Sequence, residues 1–509
     1  MASSAAHSST DVLRSRWSSD SPEDLFVVEN PATGEIITRV QGAGEREVDQ
    51  AVRSAHRAYE EDWRWRPPRD RGKYLFEAAG LLRHHADELA HLETLENGKP
   101  FTQSRAFDIE AMITSFEYFA GLADKPHGEF TDIGWAYDHI LLEPYGVVAG
   151  IIPFNWPPIH TAGKTAPALA AGNTVVLKPG EQAPLTVMRI VELLQKVLPP
   201  DVLHVLPGLG PTVGKELVSH PLVRKISFTG ATTTGVAILK AAADNVTPAL
   251  LELGGKNAFI VFDDADLDRA VADAVDGAFF NQGEACSAAS RILVQRGVHD
   301  VFIARLARAV ALLKVGDGMA EDTHVGPLIT RAHQAKVVDG IAEAVSAGAR
   351  IVSQAPISEK AAQSGGFFVA PTLLAGVTRE MKLAREELFG PVTYVMAFDD
   401  FDEAIMIANE SDYGLVAGVY SRSHETIMRV ARRLDVGVVF ANTYCRSMIG
   451  TPFGGTKGSG YGREHAVQTL REFGRQKVVR IPSGESEIPT WVGAREVTFF
   501  GGRADKEGS

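Results

Sequence analysis

Two apolar runs, Gly146-Val147-Val148-Ala149-Gly150-Ile151-Ile152-Pro153 and Thr174-Val175-Val176-Leu177-Lys178, decide the fold class of this chain. Both have the length of a strand that is buried on both faces. The same rhythm continues with strands predicted at 202–206, 224–228 and 248–253, and with helices near 184–198, 211–219 and 233–243 between them. Apolar strands that alternate with helices predict a parallel sheet with helices on both faces.

A second α/β stretch begins near Asn257. Helices are predicted around 266–280, 299–313 and 331–347, followed by strands around 392–398, 415–420 and 436–441. Ahead of the first sheet, apolar residues recur at helical spacing between Asp70 and Asn97, and Gly98 and Pro100 then stop the helix. The sequence therefore predicts two α/β domains preceded by a helical region.

Composition excludes several classes of protein. A chain of 509 residues is too long for one ordinary core and predicts two to four domains. The net charge of −13 argues against a nucleic-acid or anionic-membrane surface. No apolar stretch reaches the ~18–20 residues that span a bilayer. Two cysteines, Cys286 and Cys445, cannot form a disulfide framework, so a reducing, cytoplasmic location is expected.

Glu252 and Cys286 are the pair of residues that first suggests a chemistry. Glu252 lies in the Gly-rich end of a predicted strand, and Cys286 closes Asn281-Gln282-Gly283-Glu284-Ala285-Cys286, 34 positions later. A lone thiol and a separate carboxylate suit a cysteine nucleophile with a general base. Taken singly, a cysteine is more often a small buried hydrophobe and a glutamate more often a solvated group.

Seven motifs follow one another along the chain. They are Pro153-Phe154-Asn155-Trp156-Pro157, Val175-Val176-Leu177-Lys178-Pro179-Gly180-Glu181, Phe228-Thr229-Gly230 with Gly235, Leu251-Glu252-Leu253-Gly254-Gly255-Lys256, the Cys286 motif, Glu386-Glu387-Leu388-Phe389-Gly390-Pro391 and Pro452-Phe453-Gly454-Gly455. In this order they resemble the motifs of the aldehyde dehydrogenase superfamily, and the resemblance covers about residues 29–481. One such motif would be weak evidence, but seven in register are very hard to obtain by chance.

The resemblance implies an aldehyde dehydrogenase-like α/β fold with three parts. A Rossmann-type NAD-binding domain would comprise 21–123 and 145–255, and an α/β catalytic domain 256–475. A β-arm for oligomerisation would comprise 124–144 and 476–509, which implies a homodimer or homotetramer. Residues 1–20 are expected to be a disordered N-terminal arm. In the tail, 497–500 could form one extra strand or belong to a flexible end.

The resemblance also implies where NAD binds. Lys178 and Glu181 would hold the adenosine ribose, and a carboxylate at Glu181 favours NAD over NADP because it repels a 2′-phosphate. A turn that opens a helix would receive the pyrophosphate, since helix N-termini offer free N–H groups. The residues expected around the cofactor, besides Lys178 and Glu181, are Phe228, Gly230, Ala231, Gly235, Leu253, Glu387 and Phe389.

By the same resemblance, Cys286 attacks an aldehyde and Asn155 stabilises the oxygen that becomes charged. Glu252 would then activate water to hydrolyse the thioester. The presence of Glu252 favours a free carboxylic acid over transfer to coenzyme A. The alternatives are a CoA-acylating relative, a cysteine esterase and, least favoured, a non-catalytic family member.

The substrate tunnel is expected to include Ile159, His160 and Gly163 on one helix, with Tyr444 and Phe453. Ser447 and Met448 would complete its mouth. Glycine at 163 should widen the tunnel and favour a bulky apolar or aromatic aldehyde, unless a neighbouring side chain refills the space. Cys445 is interpreted as a lining or packing residue. No metal site is predicted, since no His/Cys/Asp cluster has ligand spacing.

Overall fold

The computed structural model describes residues 12–126, 128–444 and 448–485. Its strands, in chain order, are β1 (Val12–Arg14), β2 (Leu25–Glu29), β3 (Ile36–Gln41), β4 (Glu129–Asp132), β5 (Ala136–Pro144), β6 (Val147–Ile151), β7 (Thr174–Lys178), β8 (Leu203–Val205), β9 (Val223–Thr229), β10 (Ala249–Glu252), β11 (Ala258–Val261), β12 (Arg291–Gln295), β13 (Arg350–Gln354), β14 (Thr372–Ala375), β15 (Val392–Phe398), β16 (Tyr413–Gly414), β17 (Val416–Tyr420), β18 (Val438–Ala441), β19 (Thr456–Lys457), β20 (Gly460–Tyr461) and β21 (Gly474–Pro482).

The helices follow in the same order. They are α1 (Glu45–Glu61), α2 (Pro68–His84), α3 (Ala86–Asn97), α4 (Phe101–Gln103), α5 (Glu110–Leu122), α6 (Pro157–Ala171), α7 (Leu185–Leu194), α8 (Lys215–Ser219), α9 (Thr232–Ala243), α10 (Leu267–Phe279), α11 (Arg296–Ala311), α12 (Arg331–Ser346), α13 (Glu359–Gln363), α14 (Lys382–Arg385), α15 (Phe401–Asn409), α16 (His424–Arg433) and α17 (Val467–Glu472). A π-helical segment, Ser104–Ile109, joins α4 to α5.

The first sheet has the order β20-β10-β9-β6-β7-β8, and its neighbours are parallel except for the antiparallel pair β10 and β20. All residues of β6, β7, β8 and β10 are buried, as expected for a sheet covered on both faces. The parallel sheet predicted for this region is confirmed. The expectation that 256–475 forms the catalytic domain alone is wrong for β20, since this strand joins the first sheet.

The second sheet has the order β13-β14-β15-β12-β11-β17-β18 and is parallel except for β13 against β14. It is the second α/β unit that the sequence predicted. Within the described part of the chain, no helix is long and apolar enough to cross a bilayer.

Two expectations for the N-terminal region are wrong. Residues 12–20 are ordered: β1 pairs in parallel with β3, and the Trp17 ring is buried, with its indole N–H donating to His204 Nδ1 at 3.3 Å. The predicted helix between Asp70 and Asn97 is two helices, because His85 leaves the helical conformation at φ −100° and ψ 15°. Gly98 ends α3 in the left-handed region, at φ 89°, as predicted. Residues 1–11 lie outside the described residues.

An antiparallel three-stranded sheet, β21-β5-β4, forms the arm that was expected from 124–144 and the strand near 476–481. Its surface exposes large apolar side chains, with Phe130 60% and Val478 54% exposed. The segment 497–500, considered as an extra strand, lies outside the residues that the structure describes.

Candidate active site

Cys286 lies in a tightly turned loop between α10 and β12. The turn before it holds Asn281 and Gln282 in the left-handed region, at φ 53° and 57°. Asn257 fixes the loop from behind, because its side-chain amide donates to the carbonyl of Cys286 at 2.8 Å. Burial, and then the charges of Glu387 and Glu252, raise the pKa of the Cys286 thiol. The structure thus places both carboxylates close to the thiol.

Asn155 follows β6 and points its amide at the turn that carries Cys286. Its Nδ2 donates to the carbonyl of Glu284 at 3.0 Å, and the side chain is buried. The Asn155 backbone carbonyl accepts a hydrogen bond from Asn281 Nδ2 at 3.1 Å. Each of the two segments therefore donates one hydrogen bond to the other. Asn155 and the Cys286 loop, 131 positions apart in the chain, are therefore held as one unit.

Lys99 supports Asn155 from beneath, and sequence reasoning missed it. Its Nζ donates to the Asn155 carbonyl at 2.9 Å and pairs with Glu93 at 2.9 Å and with Asp108. All three charged side chains are fully buried. Burial, with the neighbouring Glu93 charge, raises the pKa of Asp108. In the sequence, the only local indication of a role for Lys99 is its position between Gly98, which ends a helix, and Pro100.

Glu252 ends β10 and is 3% exposed, yet neither carboxylate oxygen has a hydrogen-bond partner among the described residues. Burial, and then the charge of Glu464, raise the pKa of Glu252. Glu464 is itself paired with Lys164 at 2.7 Å, across 300 positions of the chain. A β-carbon at Gly454 would lie 2.6 Å from Glu252 Oε1, so the glycine makes room for this carboxylate. Sequence analysis singled out neither Glu464 nor Lys164.

In α/β folds a dinucleotide binds in a crevice at the carboxyl end of the sheet, and this end of the first sheet has features that suit one. β9 ends at Thr229, Gly230 follows, and α9 begins at Thr232 with no side chain capping its N-terminus. A β-carbon at Gly235 would lie 2.7 Å from Leu253 Cδ2, so only glycine lets α9 approach this closely. Phe228 is buried beneath the turn. An uncapped helix start beside glycine is a fitting cradle for a pyrophosphate.

Lys178 and Glu181 lie at the end of β7, as the sequence indicated. Lys178 Nζ contacts Glu181 Oε2 at 2.9 Å, and burial lowers the pKa of Lys178. The Glu181 carboxylate is partly exposed. It could accept hydrogen bonds from a ribose and would repel an added phosphate.

Glu387 and Phe389 lie in the segment that leads into β15 of the second sheet. Glu387 accepts from the Gly255 amide at 2.9 Å, and burial raises its pKa to about 7. Phe389 has φ 60°, and its carbonyl accepts from His333 Nε2 at 2.6 Å. The ring of Phe154 lies 6.0 Å from that of Phe389. His333, missed from sequence, therefore holds the Phe389 turn.

The predicted tunnel residues divide into two groups. Ile159, His160 and Gly163 are buried in the first half of α6. Tyr444 packs in the core and its hydroxyl donates to the Ser287 carbonyl at 2.9 Å, so it also supports the loop after Cys286. Phe453 is partly buried, and its ring lies 6.1 Å from that of His465. Met448 is 63% exposed; Cys445 and Ser447 lie outside the described residues.

The space beside Gly163 is occupied. A β-carbon there would lie 3.4 Å from His465 Cε1 and 3.6 Å from Glu464 Oε2. A neighbouring side chain thus refills the volume that the glycine leaves, which was the alternative to a wider tunnel. In the ranges 12–126, 128–444 and 448–485, no cluster of three His, Cys, Asp or Glu side chains could hold a metal ion.

Comparison with known proteins adds to this geometry. A sequence model described as the aldehyde dehydrogenase family matches residues 17–479. The chain is 51% identical to "Aldehyde dehydrogenase citD" of Monascus ruber, covering 96% of this chain and 97% of that protein. It is 39% identical to retinal dehydrogenase 2 of Homo sapiens, covering 92% and 91%. A crystal structure of betaine aldehyde dehydrogenase from Staphylococcus aureus in complex with NAD+ has a TM-score of 0.88 at 38% identity, covering 92% and 93%.

Proposed function

The chain belongs to the aldehyde dehydrogenase family and oxidises an aldehyde to its carboxylic acid with NAD+, and we propose that Cys286, Asn155 and Glu252 perform this reaction. The hydrogen bond from Asn155 to the turn that carries Cys286 is the observation that supports the proposal most strongly. It joins an amide donor and a thiol at the carboxyl end of the first sheet, where α/β proteins bind ligands.

The first step is addition of the Cys286 sulfur to the aldehyde carbon, which gives a thiohemiacetal. The Asn155 amide, with the Cys286 backbone N–H, stabilises the negative oxygen, and such a fixed donor contributes ~3 kcal/mol. Asparagine suits this task because it donates without releasing a proton. Bound NAD+ supplies the hydride acceptor, and loss of hydride from the adduct leaves a thioester on Cys286.

Glu252 then removes a proton from the water that attacks the thioester, which releases the acid and returns the thiol. Burial raises the pKa of Glu252, which makes this carboxylate a stronger base than one in water. Neither of its oxygens has a hydrogen-bond partner among the described residues, which supports this role. The presence of this base favours hydrolysis over transfer to coenzyme A. The esterase alternative and a non-catalytic role are not favoured by the comparisons.

The residues around the crevice support the assignment of NAD. We assign the pyrophosphate to the turn of Phe228, Gly230 and Ala231, with Gly235 and Leu253 behind it. Lys178 and Glu181 would hold the adenosine ribose, and Glu387 and Phe389 the nicotinamide end. Glu181 favours NAD over NADP because its carboxylate repels the 2′-phosphate of NADP.

We also infer a homo-oligomer and a reducing, cytoplasmic compartment. The arm exposes apolar side chains on a small sheet whose two edges are unpaired within the described ranges 12–126, 128–444 and 448–485, and such a surface is usually covered. A nucleophilic thiol must remain reduced, which the cytoplasm ensures.

Replacement of Cys286 by alanine tests the proposal. We expect NADH formation to fall by at least about 10³-fold, because no other group forms the adduct, while NAD+ binding, followed by protein fluorescence, persists. The matched control is Cys445→Ala, which removes the other cysteine and should retain most of the turnover. Undiminished NADH formation by Cys286→Ala would exclude the proposed mechanism.

A further inference from the structure

We propose that Trp156, His160 and His465 form an uncharged hydrogen-bonding wall beside the reacting carbon, and that the substrate is an aryl aldehyde bearing a neutral oxygen group, such as a ring hydroxyl. The inference rests on the proposed function, since it assumes that the aldehyde reacts at Cys286. It concerns the choice of aldehyde substrate, because the catalytic residues do not determine that choice.

The three side chains converge on one stretch of α6. Trp156 immediately precedes the helix, and His160 lies four residues later on the same face, with the two ring centroids 6.5 Å apart. His465 approaches from the opposite side, with Cε1 3.4 Å from the β-position of Gly163. Beside Gly163, the chain therefore presents a second imidazole next to that of His160.

This stretch adjoins the reacting thiol. Trp156 directly follows Asn155 and packs with Ala285, the residue before Cys286. Phe453, which faces the His465 ring, packs against the same apolar core as Cys286. A substrate bound to Cys286 would therefore extend between an apolar aromatic side and the two imidazoles.

The polar atoms of the wall lack protein partners. Trp156 Nε1, both nitrogens of His160 and Nδ1 of His465 are buried, and none has a hydrogen-bond partner in the part of the chain that the structure describes. The three residues are 7%, 6% and 4% exposed. Buried polar groups are nearly always satisfied, and the charged neighbours Lys164 and Glu464 satisfy each other. The free atoms of the wall are thus available to a ligand.

The wall is neutral, which defines the ligand's chemistry. Burial, and then Lys164, lower the pKa of His160, and burial lowers that of His465 even though Glu464 opposes it. A neutral imidazole offers one donor and one acceptor, and the Trp156 indole offers a donor only. Hydroxyl and carbonyl groups match this set. A carboxylate would instead face Glu252 and Glu464, and a trimethylammonium group can make no hydrogen bond to it.

The test compares kcat/KM for benzaldehyde with those for 3- and 4-hydroxybenzaldehyde at saturating NAD+. The wild-type enzyme should prefer one of the hydroxylated aldehydes by about tenfold or more, because a site that hydrogen-bonds a hydroxyl rejects the analogue that lacks it. Trp156→Phe keeps the ring and removes the N–H, and the double variant His160→Phe/His465→Leu removes both imidazoles. Each should lower the preference by severalfold.

His204→Leu is the matched control, because His204 is also a buried histidine beside a tryptophan, Trp17, but lies far from Cys286 in the fold. The ratio of kcat/KM for the hydroxylated aldehyde to that for benzaldehyde should be the same in this variant as in the wild type. Oxidation of the aldehydes with no preference for a hydroxyl, or a preference that survives both wall variants, would overturn the inference and leave the proposed function standing. If no aldehyde, including hexanal, gives NADH, the proposed function and the inference both fail.

Discussion

The thiol of Cys286 lies in surroundings that disfavour its thiolate form. Burial, and then the charges of Glu387 and Glu252, raise its pKa. The proposed reaction therefore requires a base for the thiol proton. Glu252 has a raised pKa and carboxylate oxygens with no hydrogen-bond partner among the described residues, so it is available for this.

Alkylation of Cys286 by iodoacetamide should therefore increase with pH without levelling off between pH 7 and 8.5. Only the thiolate reacts, and a pKa raised above the ordinary value of about 8.5 keeps the thiolate a minority species across this range. Peptide mass spectrometry separates Cys286 from Cys445. A plateau below pH 8.5 in the free enzyme would show that the thiol is activated before substrate binds.

Sequence alone could identify the residues whose chemistry is local to a motif, such as Cys286, Glu252 and Asn155, and the structure brings these three together. It could not identify Lys99, His333, Glu464 or His465. Each depends on a contact with a segment distant in the chain, as Lys99 does with Asn155 and His333 with Phe389. Glu464 pairs with Lys164 across 300 positions, and His465 lies against Gly163. Such pairs leave no periodic pattern, since the burial that makes them important follows from tertiary packing.

At the scale of elements, prediction succeeded where burial is extensive. β7, which is buried throughout, and β15, which is mostly buried, begin and end where the sequence placed them, because such strands are rich in apolar residues. β20 was not predicted, because a strand of two residues is too short to show an apolar run. The break at His85 was missed because the apolar spacing of α2 continues into α3.

The turn before Cys286 is the element whose geometry matters most. Gly283 has φ 70°, and a β-carbon there would collide with the Gly390 carbonyl and lie 2.9 Å from Pro391 N. Gly283→Ala should destabilise the fold by about 2–4 kcal/mol, from left-handed strain and overpacking. It should also lower kcat, on the order of 100-fold, by displacing Cys286.

Differential scanning calorimetry and steady-state NADH assays measure both effects. Gly80→Ala is the control, since Gly80 lies within α2 with nothing within 4 Å of its β-position, and it should be neutral or slightly stabilising. Equal melting temperatures for the two variants would mean that the Cys286 turn is not as constrained as the contacts indicate.

At the scale of the whole molecule, the arm is the feature that one chain does not complete. Val478 and Ile481 on β21 are 54% and 47% exposed, and no other strand of the described residues pairs with the outer edges of β21 and β4. Exposed apolar strands of this kind invite pairing with another chain. The sequence located this arm only through family resemblance, because nothing in its own short strands distinguishes an intermolecular partner from an intramolecular one.

We expect light scattering to give the mass of a homodimer or homotetramer for the wild-type protein. The double variant Val478→Asp/Ile481→Asp should shift this mass towards that of the monomer, 54.8 kDa, because burying an unpaired carboxylate in an interface is costly. Val246→Asp provides the control, since Val246 is 87% exposed and lies outside the arm. A monomeric wild-type protein at micromolar concentration would refute the role given to the arm.

The central claim is that oxidation passes through a thioester on Cys286 that Glu252 helps to hydrolyse. The most direct measurement is the mass of Glu252→Gln after rapid mixing with NAD+ and an aldehyde. Glutamine keeps the shape of the side chain but cannot accept the proton of water, so deacylation should slow by about 10²–10⁴-fold. The account predicts one equivalent of NADH per site and an acyl group on the Cys286 peptide. Turnover at the wild-type rate with no adduct, or an acyl group on another residue, would contradict it.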